Sequence, residues 1–180
     1  MNKKQTLSCS ELSKSYAVTK GLFGKKENFK ALDDISFCLY EGETLAILGE
    51  SGAGKSTIAK ILVGAELPTS GKFIIDNKNV TELKNDQRLT IHRNVRMVYQ
   101  DPYASLNPQL SINSLLDEPL KNYTKLDTIE RKERIVEILN LVGLKSEHGR
   151  RLPYMFSAGE RQRIAIARAL ILDPVCIVLD

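Results

Sequence analysis

Apolar positions in the first hundred residues come in short runs, which predict strands at 32–39 and 44–48 on either side of the turn Glu41-Gly42-Glu43. Ile58, Ala59, Ile61, Leu62 and Val63 then recur at helical spacing until Leu67-Pro68-Thr69-Ser70-Gly71 interrupts them. KFIIDNKNV, residues 72–80, reads as an edge-like strand ending in a polar turn. Residues 94–99 read as another apolar strand, closed by Gln100-Asp101-Pro102. From there to about Leu152 the texture is polar turns and helices. The clearest helix covers 128–142, with Ile135, Ile138, Leu139 and Val142 on one face and Gly143 behind it. A second strong helix covers 161–172 and is stopped by Asp173-Pro174, after which VCIVLD returns the chain to a buried strand. The stretch between Lys20 and Lys30 predicts an exposed loop, and no internal repeat interrupts the order.

Composition narrows the class. The chain has 180 residues, enough for one domain with an inserted subdomain, and 42% hydrophobic content supports a real core. A net charge of +4 is too mild for the electrostatic footprint of a nucleic-acid binder, and no nucleic-acid partner is expected. Cys9, Cys38 and Cys176 are widely spaced, without a C-x-x-C pair or a histidine at ligand spacing, and read as free thiols in a reducing compartment. The start is too polar for a signal peptide, and no apolar run is long enough to span a bilayer. The expected location is the cytoplasm unless a partner brings the chain to a membrane.

Chemistry enters between the strand at 44–48 and the helix after it. Gly49-Glu50-Ser51-Gly52-Ala53-Gly54-Lys55-Ser56 fits G-x-x-x-x-G-K-[ST], followed by Thr57. Glycines let backbone N–H groups turn inward around an anion, and the helix adds its positive end. Lys55 supplies a point charge for β/γ-phosphates, and the Ser56 hydroxyl can ligate Mg²⁺. A plain glycine turn would not need the Lys-Ser pair, so the expected ligand is a nucleoside triphosphate. Asp180, at the tip of an apolar strand, reads either as a turn residue or as the carboxylate on the Mg²⁺ side. Ser157-Ala158-Gly159-Glu160 is at once a capping box and, with a hydroxyl and a glycine N–H at a helix start, an anion site.

The loop GESGAGKST, Gln100, FSAGERQRIAIARAL and CIVLD, in that order, resemble the ATP-binding subunit of an ABC transporter. YAVTKGLFGKKENFKALDDISF and VYQDPYASLNPQLSINSLLDEPL are similar to the oligopeptide and dipeptide importer branch, with antimicrobial-peptide and nickel importers close by. The resemblance implies an α/β P-loop NTPase (RecA-like) core carrying an N-terminal antiparallel β subdomain and an inserted helical subdomain. It divides the chain into the β subdomain and P-loop core (1–100), the helical subdomain with the signature motif (101–160) and a return to the core (161–180). It further implies that Tyr16 stacks on adenine, with Phe29 as a competitor, and that Gln100 touches Mg²⁺ or the attacking water. Ser56, Gln100 and Asp180 form the implied Mg²⁺ set, and 103–120 faces the membrane permease. Ser157, Ala158, Gly159 and Glu160 would meet the γ-phosphate held by a second, related ATP-binding subunit. FSAGE departs from the usual LSGGQ by a methyl at Ala158 and a charge at Glu160, which predicts a less tight closure.

In that family the catalytic glutamate directly follows the aspartate that Asp180 matches, and a switch histidine comes later; His92 and His148 stand at the wrong positions to replace it. The chain is therefore expected to be the N-terminal part of a longer protein, missing the C-terminal part of the core and one central strand, with no catalytic base of its own. The implied function is ATP-driven uptake of peptides or a related small solute at the cytoplasmic face of the inner membrane. The alternatives are a non-transport ABC ATPase acting on DNA or ribosomes, and a non-catalytic nucleotide-binding fragment.

Overall fold

Leu7 and Cys9 alternate with polar neighbours, and a bulge with Glu11 at φ 52° moves the next apolar side chain, Leu12, back onto the buried face. That one-residue correction lets β1 (Gln5–Thr19) run as a single long strand antiparallel to β2 (Lys26–Tyr40). The computed structural model describes residues 3–19, 26–83, 89–101 and 106–180. Contacts divide the chain into two compact units, Met1–His92 and Arg93–Asp180.

The first unit holds a four-stranded antiparallel sheet in the order β2-β1-β3-β4, with β3 at Ser70–Ile75 and β4 at Lys78–Asn79. Its core is made by Leu7, Leu12, Leu32, Phe73 and Ile75 of the strands and Ile58, Ile61 and Leu62 of α1 (Lys55–Leu62). Three expectations change here. KFIIDNKNV is a tight hairpin, because Asp76 and Asn77 take φ 47° and 63°, the pair of positive values that a two-residue turn matching the strand twist requires. Residues 26–30 open β2 where an exposed loop was expected, while 20–25 lie outside the described residues. Residues 44–48 form no strand: an extended segment becomes a strand only by pairing, and no described strand runs beside it. Leu48 is 90% exposed in consequence.

In the second unit α3 (Ile112–Tyr123), α4 (Thr128–Leu141) and α5 (Ala158–Leu170) close around Ile112, Leu115, Leu116, Leu120, Ile138, Leu139, Phe156 and Ile164. A short helix, α2 (Leu89–Asn94), precedes them across the boundary between the units. The start of α4 is fixed by a capping box: Asp127 Oδ1 accepts from the N–H groups of Ile129 and Glu130, and Glu130 accepts from the Asp127 N–H at 2.6 Å. β5 (Val95–Val98) and β6 (Cys176–Leu179) make a parallel pair, with Val98 packed on Ala165 and Ala169 of α5. β6 was expected to be buried. Ile177 and Leu179 are instead exposed, since among the described residues β5 is its one partner in a two-stranded sheet and only one face is covered. Among the described residues no helix is long and apolar enough to cross a membrane.

Candidate nucleotide site

The phosphate-loop residues 49–57 lead straight into α1. Gly54 caps the helix in the left-handed region, with φ 88°, and gives no side-chain cap; the first turn carries no acidic residue. The first intrahelical bond is Ile58 N–H to Gly54 O at 3.0 Å. The amides of Lys55, Ser56 and Thr57 are thus the donors that a helix start leaves without intrahelical acceptors, and the positive end of the dipole is uncompensated. Ala53 N–H donates to Glu50 O at 3.1 Å and rounds off the loop. Gly49, where an added methyl would stand 3.1 Å from that of Ala53, and the left-handed Gly52 shape the remainder, and Ser51 stands exposed at its rim.

Lys55 Nζ donates to the carbonyls of Gly49 and Glu50, both at 2.7 Å. An ammonium has three donors, so one remains for a phosphate oxygen. Ser56 is exposed with its hydroxyl on the first turn. Cradle, cation and hydroxyl together fit a nucleoside triphosphate.

In the second unit the parallel register pairs Val98 with Leu179, and the Asp180 N–H donates to Val98 O at 3.1 Å. Gln100 and Asp180 therefore leave the same, carboxyl ends of neighbouring strands, where open α/β sheets present their ligand-binding groups, and both are exposed. The Ser56 hydroxyl of the first unit, and the Gln100 amide oxygen and Asp180 carboxylate of the second, are each hard oxygen donors of the kind that suits Mg²⁺.

At the signature, the capping-box reading is realised. Ser157 Oγ accepts from the Glu160 N–H at 3.3 Å, while Glu160 Oε2 accepts from the Ser157 N–H at 2.9 Å and from its hydroxyl at 2.8 Å. The helix begins at Ala158, three residues before the expected 161, because Ser157 already caps it. These bonds hold the Glu160 pKa below its ordinary value, with the Ser157 N–H the leading cause. A phosphate arriving here would compete with the Glu160 carboxylate for both Ser157 donors. Beside Gly159 there is open space, and Ala158 is exposed.

Tyr16 and Phe29, the two aromatic candidates for the base, are direct cross-strand partners. Phe29 is exposed. The Tyr16 hydroxyl donates to the carboxylate of Glu66, a residue that sequence reasoning did not single out; its one signal was an acid just past the end of α1. That bond raises the Tyr16 pKa and lowers that of Glu66. Of the segment expected to face a permease, 103–105 lie outside the described residues. Leu106, Ile112, Leu115, Leu116 and Leu120 are buried, and the exposed part is 107–110 with Ser114 and Glu118.

Residues 32–180 match the ABC transporter family. The chain is 47% identical to the dipeptide transport ATP-binding protein of Haemophilus influenzae, over 94% of its own length and 52% of that protein's. It is 39% identical to the oligopeptide transport ATP-binding protein of Bacillus subtilis, over 99% and 55%. The chain thus spans about half the length of the curated relatives it matches. Among solved structures, a dimeric ATP-binding cassette in a post-hydrolysis state, bound to ADP and Pi, aligns with TM-score 0.80 and 31% identity over 97% of this chain and 73% of that one.

Proposed function

Because the chain belongs to the ABC transporter family, we propose that it is the ATP-binding part of a bacterial importer that couples ATP binding and hydrolysis to uptake of peptides or a related small solute. The observation that carries this reading is the phosphate loop, in which glycines at φ 85° and 88° turn the chain into a helix start beside a lysine with a donor to spare. The relatives, dipeptide and oligopeptide transport ATP-binding proteins, suggest the peptide substrate class.

Bound Mg-ATP supplies a phosphoanhydride whose β/γ oxygens carry the charge to be neutralised. Gly49, Glu50, Ser51, Gly52, Ala53 and Gly54 wrap those oxygens with backbone, Lys55 places its ammonium on them, and Thr57 adds a helix-start N–H. Ser56, Gln100 and Asp180 would hold the metal, and Tyr16 would receive the adenine. Ser157, Ala158, Gly159 and Glu160 meet the nucleotide of a second, related ATP-binding subunit, and the dimeric state of the similar solved cassette supports that pairing. The exposed turn at 107–110 and the exposed side of α3 meet the permease. The protein sits on the cytoplasmic face of the inner membrane as a peripheral subunit. No residue of the chain is assigned the catalytic base.

The test is uptake of a labelled dipeptide by cells carrying the whole protein or its Lys55→Ala variant, with ATP hydrolysis measured in membranes. Uptake and hydrolysis that both depend on Lys55 support the reading. A protein that neither associates with a membrane permease nor hydrolyses ATP with its partners refutes it.

A further inference from the structure

Glu66 lies in the turn just beyond α1, where its N–H and that of Ala65 bond back to Lys60 O at 3.2 and 2.9 Å. One carboxylate here gathers three partners: the Tyr16 hydroxyl, Lys14 Nζ at 3.6 Å and Lys60 Nζ at 3.5 Å. The following residues are stitched to the same strand, with Lys14 Nζ on Leu67 O at 2.7 Å, Thr69 N–H on Ser13 O at 2.8 Å and Ser15 N–H on Thr69 Oγ1 at 3.0 Å. The Glu66 side chain is only 23% exposed. An isolated surface ion pair would need no such arrangement and would be worth little. Here the acid is fixed from both sides, and what it fixes is a phenol.

Lys14 Nζ also lies 5.1 Å from the centre of the Tyr16 ring, over one face. The hydroxyl is tied down and one face is covered by a cation, so a planar ligand stacking on the ring would use the opposite face. Phe29, directly across the strand pair, has no polar atom by which it could be held in this way. Stacking on a ring already set in place avoids the cost of ordering it at the moment of binding. We propose that Glu66 is a positioning residue for the nucleotide base: through the hydroxyl it holds the Tyr16 ring in the orientation that receives adenine. This rests on Tyr16 being the base platform, as proposed above.

The experiment is calorimetric titration of the whole protein with Mg-ATP and, separately, with magnesium tripolyphosphate, which engages the phosphate loop without a base. Glu66→Ala and Tyr16→Phe should each weaken Mg-ATP about three- to tenfold, the net worth of one ordinary hydrogen bond. Tripolyphosphate binding should not change. The double variant should be no weaker than either single one, because both remove the same bond. Glu66→Gln, whose amide oxygen still accepts from the phenol, should recover most of the loss. Should Glu66→Ala fail to fold, Tyr16→Phe carries the same comparison. Glu66→Ala and Tyr16→Phe that bind Mg-ATP like the parent, while Tyr16→Ala does not, would overturn the role of Glu66 and leave the platform standing. An equal loss for tripolyphosphate would also overturn it. Unchanged Mg-ATP binding in Tyr16→Ala would remove the platform itself.

Discussion

Replacing Gly54 by alanine tests whether the loop's shape is set by backbone crowding or by backbone handedness alone. At φ 88° an alanine costs about 1–2 kcal/mol relative to the right-handed conformation. Its methyl would also stand 2.5 Å from the Ala31 carbonyl oxygen and 2.7 Å from Leu32 Cδ2. Leu32 is buried in β2 and the carbonyl belongs to the same strand, so neither can step aside freely; forcing an extra methyl into such a place costs about 1–3 kcal/mol. Gly52→Ala is the control: its φ of 85° is nearly the same, but nothing lies within 4 Å of the added methyl. The expected losses are therefore about 2–5 kcal/mol for Gly54→Ala and about 1–2 kcal/mol for Gly52→Ala. Urea unfolding of the whole protein, with and without Mg-ATP, measures both. Because Gly54 caps the helix that starts at the proposed phosphate site, its variant should also lose nucleotide protection, normally about 2.7 kcal/mol at a hundredfold excess over Kd. A Gly54→Ala protein as stable and as well protected as Gly52→Ala would refute the crowding argument.

Lys55→Ala should lower Mg-ATP affinity by about ten- to a hundredfold, the worth of a charge-assisted bond to phosphate, which calorimetry reads directly. Ser157→Ala removes the cap of α5 and should destabilise the second unit by about 1 kcal/mol, seen in its urea midpoint. The same box gives a pH signature: the Glu160 pKa is lowered from 4.5 in the folded chain, so its contribution is complete above pH 4.5 and is lost as the pH falls through the lowered value. Glu160→Gln should flatten that part of the stability profile, and an unchanged acid limb would count against it. Burial pushes the Cys9 thiol up to about 12, so a thiol reagent at pH 8 should label the exposed Cys38 at once and Cys9 only on unfolding. Mass spectrometry of a timed labelling series distinguishes the two.

The phosphate half of the site could be read from one short window because its constraints are local: glycines that must turn left, a lysine and a hydroxyl at fixed offsets, and a helix that starts at once. The same locality made α4 and α5 legible, through the apolar stripe between Ile135 and Leu139 with Gly143 behind it and the capping box at Ser157. Where pairing decides, the pattern misled. Leu7, Cys9 and Leu12 break the period of two at a bulge, so β1 went unseen, and Asp76-Asn77 makes its hairpin without the glycine that usually signals one. Residues 44–48 carry a strand's composition, yet strand formation depends on a neighbour that composition cannot supply. The proposed base half of the site belongs to this second kind. Tyr16 and its competitor Phe29 are thirteen positions apart by number and side by side in the register. What separates them is a carboxylate 50 positions beyond Tyr16, brought within reach only when the turn after α1 is stitched to β1. A motif therefore identifies the groups that hold a ligand's charge, whereas the group that orients its uncharged part is chosen by packing.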